Sequence, residues 1–175
     1  MTTLKIIADI LTGSRFIVAM ALTWLGWAQG IDGWYLATML LIYSWTSDVL
    51  DGILARRSKT TLQTWIGRND LYLDMLVALS LLAYMTLSTP INLSMSIIYI
   101  LIWILIFARF GFLSALGKIF QAPIYTWFII VTFQHDLLLG GFILFFLVLI
   151  VVVTWPRFPN DTVPKFISGF VDNET

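Results

Sequence analysis

Six apolar stretches dominate this chain, over residues 15–29, 34–57, 62–87, 92–116, 120–133 and 137–155. Most have the length a helix needs to cross a hydrocarbon core of about 30 Å. A backbone in hydrocarbon must satisfy its own N–H and C=O groups, so uninterrupted apolar stretches of this length read as helices. Composition agrees. Charged residues make up 11% of the chain and hydrophobic ones 59%, whereas a soluble domain carries about 25% charged residues. So few charges cannot clothe a water-facing surface. The expected fold is an all-α integral membrane protein with six transmembrane helices, forming one transmembrane domain over 1–157 and a polar tail over 158–175.

The segment before Arg15 places Leu4, Ile7 and Leu11 at helical spacing, interrupted by Lys5 and Asp9. It reads as a short amphipathic helix at the membrane interface, or as the first turns of span one. No small-residue cleavage pattern closes the run that follows, so it reads as a retained helix. An even span number puts both termini on one side. All Lys and Arg residues fall at or near that side, and the connections around Asp32, Pro90 and Asp136 carry none. The positive-inside rule then makes both termini cytoplasmic. Formal net charge is zero, so nothing points to nucleic acid. There is no cysteine, which excludes disulfides, thiolate metal sites and cysteine nucleophiles.

Against this background the charges at the second and third spans stand out. On a helix, Asp48, Asp51, Gly52, Ala55 and Arg56 share one face. Asp70 and Asp74 are one turn apart on the next helix. At 1.5 Å per residue, Asp48 lies about 12 Å from Arg56 and Asp74 about 9 Å from Arg68 along their axes. Two acidic pairs at matched depth on antiparallel neighbours can converge. Each intramembrane Asp opposes insertion by roughly 2.5–3.5 kcal/mol. Four together repel unless a cation lies between them. Oxygen-only ligands favour a hard cation such as Mg²⁺ or Mn²⁺. Gly52 and Ala55 leave room for a ligand, and Arg56 suits a phosphate. Phosphodiester or pyrophosphate chemistry follows from that combination.

At these residues the chain resembles the CDP-alcohol phosphatidyltransferase family, whose signature is D-x2-D-G-x2-A-R-x8-G-x3-D-x3-D. Asp48, Asp51, Gly52, Ala55 and Arg56 match its first half, and Asp70 and Asp74 its end. Ten residues separate Arg56 from Gly67 and two separate Gly67 from Asp70, a net extra residue that the loop absorbs. Asp9, Thr12 and Arg15 are similar to the N-x2-T-x2-R segment with which many members open, with Asp in place of Asn.

The resemblance implies transfer of a phosphatidyl group from a CDP-linked lipid, CDP-diacylglycerol, to an alcohol, with release of CMP. It implies Asp48, Asp51, Asp70 and Asp74 as ligands of one or two ions of Mg²⁺ or Mn²⁺, and Asp74 as the base. Asp48, Gly52, Ala55, Arg56 and Gly67 would bind the CDP-lipid. Arg109 and Lys118 would meet a phosphorylated acceptor. It also implies a homodimer and a cytoplasm-facing site. Two other readings use the same residues. One is a carboxylate-lined cation-transport protein, against which stands the placement of every acidic pair in one membrane half. The other is a degenerate member that binds CDP-lipid without turnover.

Overall fold

The structure, a computed structural model, describes residues 3–57, 69–89, 91 and 93–155. The described residues form six long helices, one short 3-10 turn and no strand. They divide into two compact units, Met1–Ile91 and Asn92–Thr175.

The first unit holds α1 (Thr3–Ala28), α2 (Trp34–Arg57) and α3 (Asp70–Ser88). Helix α1 packs against both α2 and α3. Its buried residues form one stripe at three- and four-residue spacing, from Lys5 through Asp9, Thr12, Arg15 and Val18 to Leu25 and Gly26. The stripe is polar in its first half and apolar in its second. The N-terminal segment is therefore no separate amphipathic helix; it continues unbroken into the first span. Its polar face turns inward because partners wait there on α2 and α3.

The α1–α2 connection is tight. Gly30 has φ of 54°, a left-handed conformation in which a side chain would be strained. The Gly30–Gly33 3-10 turn then leads directly into α2. The Tyr84 hydroxyl donates to the Gly30 carbonyl at 3.1 Å, and its ring lies 5.4 Å from that of Trp34. Both aromatic side chains are fully buried. They lock the ends of α1, α2 and α3 opposite the acidic residues.

The second unit holds α4 (Leu93–Phe110), α5 (Ser114–His135) and α6 (Leu137–Thr154). The sequence pattern places the end of the fourth span near Gly117. The structure breaks the helix earlier, at Gly111, where φ is 75°, and a fresh helix begins at Ser114. Pro123 consequently sits inside α5 and leaves one carbonyl of that helix without its usual amide donor. Tyr99, Trp103, Phe107 and Phe120 form an aromatic cluster between α4 and α5, with centroid separations of 5.4 to 6.3 Å. Asp136 caps α6, accepting from the amides of Leu138 at 2.8 Å and Leu139 at 3.1 Å.

Five of the helices (α1, α3, α4, α5 and α6) are long and apolar enough to cross a membrane. Helix α2 has the length, at 24 residues, but spends it on Thr38, Ser44, Ser47, Asp48, Asp51, Arg56 and Arg57. Large apolar side chains face outward on α4 and α6, Leu105 at 70% and Phe145 at 65% exposure among them. That distribution suits lipid as the solvent, and the chain fits a multi-pass integral membrane protein. The third span is expected from residue 62, but residues 62–68 lie outside the described residues, as does the polar tail beyond 155.

Candidate active site

Helix α2 delivers Asp48 and Asp51 from its last two and a half turns. Helix α3 delivers Asp70 from its first turn and Asp74 one turn later. Asp70 gains from this placement, since a carboxylate near a helix N-terminus meets the positive end of the helix dipole. The four carboxylates converge, as matched depth on neighbouring helices requires. Asp48, Asp70 and Asp74 each offer an oxygen within 4.8 Å of the others.

What they converge on is Arg15 of α1, whose side chain is fully buried. Its Nη1 donates to Asp48 Oδ1 at 3.2 Å and to Asp74 Oδ1. Its Nη2 donates to Asp51 Oδ2 at 2.8 Å and to Asp70 Oδ1. One guanidinium thus bridges three helices. Burying a charge is unfavourable unless it is paired and hydrogen-bonded, and here the pairing is fourfold. The Nε–H of Arg15 has no partner, because both terminal nitrogens are committed to the acids.

The acids are not equivalent. The Asp51 side chain is 9% exposed, that of Asp74 25%, Asp70 42% and Asp48 51%. Asp51 is the inner member, and it also accepts from the Thr12 hydroxyl at 2.6 Å. Next to Thr12 on the helix stripe, Lys5 and Asp9 pair at 3.2 Å. The Ser47 hydroxyl donates to the Leu11 carbonyl at 2.8 Å and ties α2 to the same stretch of α1.

Gly52 and Arg56 lie one turn apart. A Cβ on Gly52 would stand 3.2 Å from Arg56 Nη1, so the guanidinium folds back over the glycine. Ala55 is half-buried beside them and Arg56 is exposed. Gly67 lies outside the described residues. Arg109 and Lys118 belong to the second unit and are exposed. Arg109 ends α4, with its guanidinium 5.3 Å from the centre of the Phe110 ring.

Sequence reasoning missed Arg15 and Thr12 as members of the site. A charge at the edge of an apolar run reads as a span end reaching for the interface. The available signal was the stripe: Lys5, Asp9, Thr12 and Arg15 recur on the same helical face as Val18 and Leu22. A face that buries its apolar half buries its polar half too.

Could these residues hold a metal? The donors are hard carboxylate oxygens, three of them mutually close and partly open. Four acids share the single guanidinium of Arg15, so carboxylates outnumber the cation they meet. That donor set fits a hard divalent cation.

No curated protein and no solved structure matches this chain. Residues 5–156, which include every described acid of the cluster, match the model of the CDP-alcohol phosphatidyltransferase family. With that match over most of its length, the chain belongs to the CDP-alcohol phosphatidyltransferase family.

Proposed function

We propose that the chain transfers the phosphatidyl group of CDP-diacylglycerol to an alcohol and releases CMP. The observation that carries this reading is the convergence of Asp48, Asp51, Asp70 and Asp74 on the buried Arg15 guanidinium, with Asp48 and Asp70 open to the outside. It sits beside a small-residue face made by Gly52 and Ala55. Family membership supports the reaction type, and the donor and acceptor are our assignment.

Asp48, Asp70 and Asp74, with Asp51 behind them, would hold one or two ions of Mg²⁺ or Mn²⁺. Such an ion neutralises the charge on the pyrophosphate and on the group being transferred. Arg56 offers a fork of N–H donors to a phosphate of the CDP moiety. Gly52 and Ala55 keep the space beside it clear, and Gly67 is assigned to the CDP-lipid on the sequence pattern alone. Asp74 takes the proton of the acceptor hydroxyl. The acceptor oxygen then bonds to the lipid-side phosphorus, the bond from that phosphorus to the bridging oxygen breaks, and CMP leaves with the electron pair. The apolar outer surfaces keep the acyl chains in the bilayer throughout.

In this reading six helices span the membrane, both termini and the site face the cytoplasm, and the protein works as a homodimer. The one-sided Lys and Arg residues support the orientation. Arg109 and Lys118 are proposed for a phosphorylated acceptor on the sequence pattern alone.

The test is CMP release from CDP-diacylglycerol by purified protein with Mg²⁺ or Mn²⁺, across alcohols with and without a phosphate. CMP formed with one acceptor class supports the proposal and names the acceptor. No CMP with any acceptor overturns it.

A further inference from the structure

Arg15 stands where a cation is needed. Its two terminal nitrogens carry four N–H groups, and four carboxylates take them. Three of those carboxylates, on Asp48, Asp70 and Asp74, are the ones whose oxygens lie close enough to share an ion. Guanidinium and divalent cation therefore ask for the same three carboxylates, and like charges at contact distance exclude one another.

The Nε–H adds a second observation. It is buried and unpartnered, although a donor removed from water without a replacement bond is unfavourable. The side chain accepts that loss to keep both terminal nitrogens among the acids. Attraction to the carboxylates, not the local packing of α1, sets its position. Once an ion neutralises those carboxylates, that attraction weakens and the position is no longer favoured. The fourth partner differs. Asp51 lies outside the three-acid group, is the most buried acid, and is already tied to Thr12.

We propose that Arg15 is the resident counter-cation of the site and competes with divalent metal for Asp48, Asp70 and Asp74. Without metal it holds α2 and α3 together against carboxylate repulsion. On metal binding it gives up those three carboxylates and keeps Asp51. The proposal rests on the metal-binding part of the function proposed above, not on turnover or on the identity of either substrate.

Metal-free protein in lipid nanodiscs provides the test, with Mn²⁺ binding read by electron paramagnetic resonance and stability by thermal unfolding. Arg15→Gln should lower the metal-free midpoint, and Mn²⁺ should bind about tenfold or more tightly once the competing charge is gone. The rise in midpoint caused by Mn²⁺ should be larger than in wild type. Arg15→Lys keeps the charge and should stay near the wild-type affinity. A merely structural arginine gives the opposite sign: its loss loosens the site and weakens Mn²⁺ binding. Unchanged or weaker Mn²⁺ binding in Arg15→Gln overturns the proposal, and no Mn²⁺ binding by any form overturns the metal site as well.

A measurement on the unaltered side chain covers a variant that fails to fold. In wild-type protein labelled with ¹⁵N-arginine, the Arg15 guanidinium signals, identified by their loss in Arg15→Lys, should shift when diamagnetic Mg²⁺ is added. Signals unmoved at saturating Mg²⁺ overturn the proposal.

Discussion

Thr12 on α1 donates its hydroxyl hydrogen to the carboxylate of Asp51 on α2 across 2.6 Å, inside the first unit and away from solvent. The same hydroxyl stands 3.1 Å from the Ala8 carbonyl of its own helix. The two acceptors compete for one hydrogen, and the charged, nearer one has the stronger claim. The bond therefore crosses between helices and leaves Asp51 with two protein partners, Thr12 and Arg15.

Thr12→Val keeps the side-chain shape and removes the donor. Hydrogen bonds to charged groups are worth about 1.5–3 kcal/mol in water-soluble proteins, while interhelical bonds in bilayers average lower. Between those limits, a loss of about 1–2 kcal/mol is expected, measured by thermal unfolding in detergent or nanodiscs. Thr12→Ser should recover most of it. A Thr12→Val protein as stable as wild type would mean that the carboxylate takes nothing from this hydroxyl.

The other end of α1 makes a different kind of contact. A Cβ added to Gly26 would sit 2.9 Å from the Cα of Tyr84 and 3.3 Å from Leu87 Cδ1. Since the nearest atom is backbone, α1 and α3 would have to move apart. Glycine in a helix costs about 1 kcal/mol relative to alanine, so Gly26→Ala gains that much in propensity. Overpacking costs about 1–3 kcal/mol and should win, giving a net destabilisation. Gly13→Ala is the control, because nothing lies within 4 Å of its added Cβ; it should be neutral or slightly stabilising. If both variants unfold at the same temperature, the close approach at Gly26 is not a constraint.

In the second unit, Asp136 holds two amides at the start of α6. Asp136→Ala leaves them bare, and losing such a cap costs about 0.5–2 kcal/mol. Asp136→Asn and Asp136→Ser retain an acceptor and should lie between alanine and wild type. Hydrogen exchange at the Leu138 and Leu139 amides reads the effect locally: faster exchange in Asp136→Ala is expected, and unchanged exchange would contradict the cap.

How far the site could be read from the sequence depended on which physical signal each residue left. Asp48, Asp51, Asp70 and Asp74 were legible because helical periodicity fixes their faces and rise per residue fixes their depth. Those two quantities suffice to bring neighbouring helices' acids together. Arg15 was not legible in the same way. The helical stripe marks its face as buried, but its partners are set by α1 packing against both α2 and α3, and a charge bordering an apolar run resembles one that reaches toward water. The break between α4 and α5 was misplaced for a related reason. Gly111 and Gly117 are equal stop signals in a sequence, and only Gly111 adopts a positive φ. The Lys5–Asp9 pair shows the cost of reading charges singly. Four residues apart, they pair with each other, and that pairing lets both be buried on the inward stripe of α1.

Asp74 carries the sharpest prediction about chemistry. It is proposed to act both as a metal ligand and as the base, and it also accepts from Arg15 Nη1 through Oδ1. Asn matches Asp in shape and keeps a carbonyl oxygen that can accept from Arg15. Asp74→Asn therefore preserves the link to α1 while removing the charge and the basic oxygen. The expected result is CMP release reduced by about 10²–10⁴-fold, as for loss of a positioned proton acceptor, with unfolding close to wild type. Asp51→Asn is the informative comparison. Asp51 is more buried than Asp74 and is held by Thr12 as well as Arg15, so its substitution should disturb thermal stability more than Asp74→Asn does. Wild-type turnover in Asp74→Asn would remove it as the base, whatever the fate of the metal site.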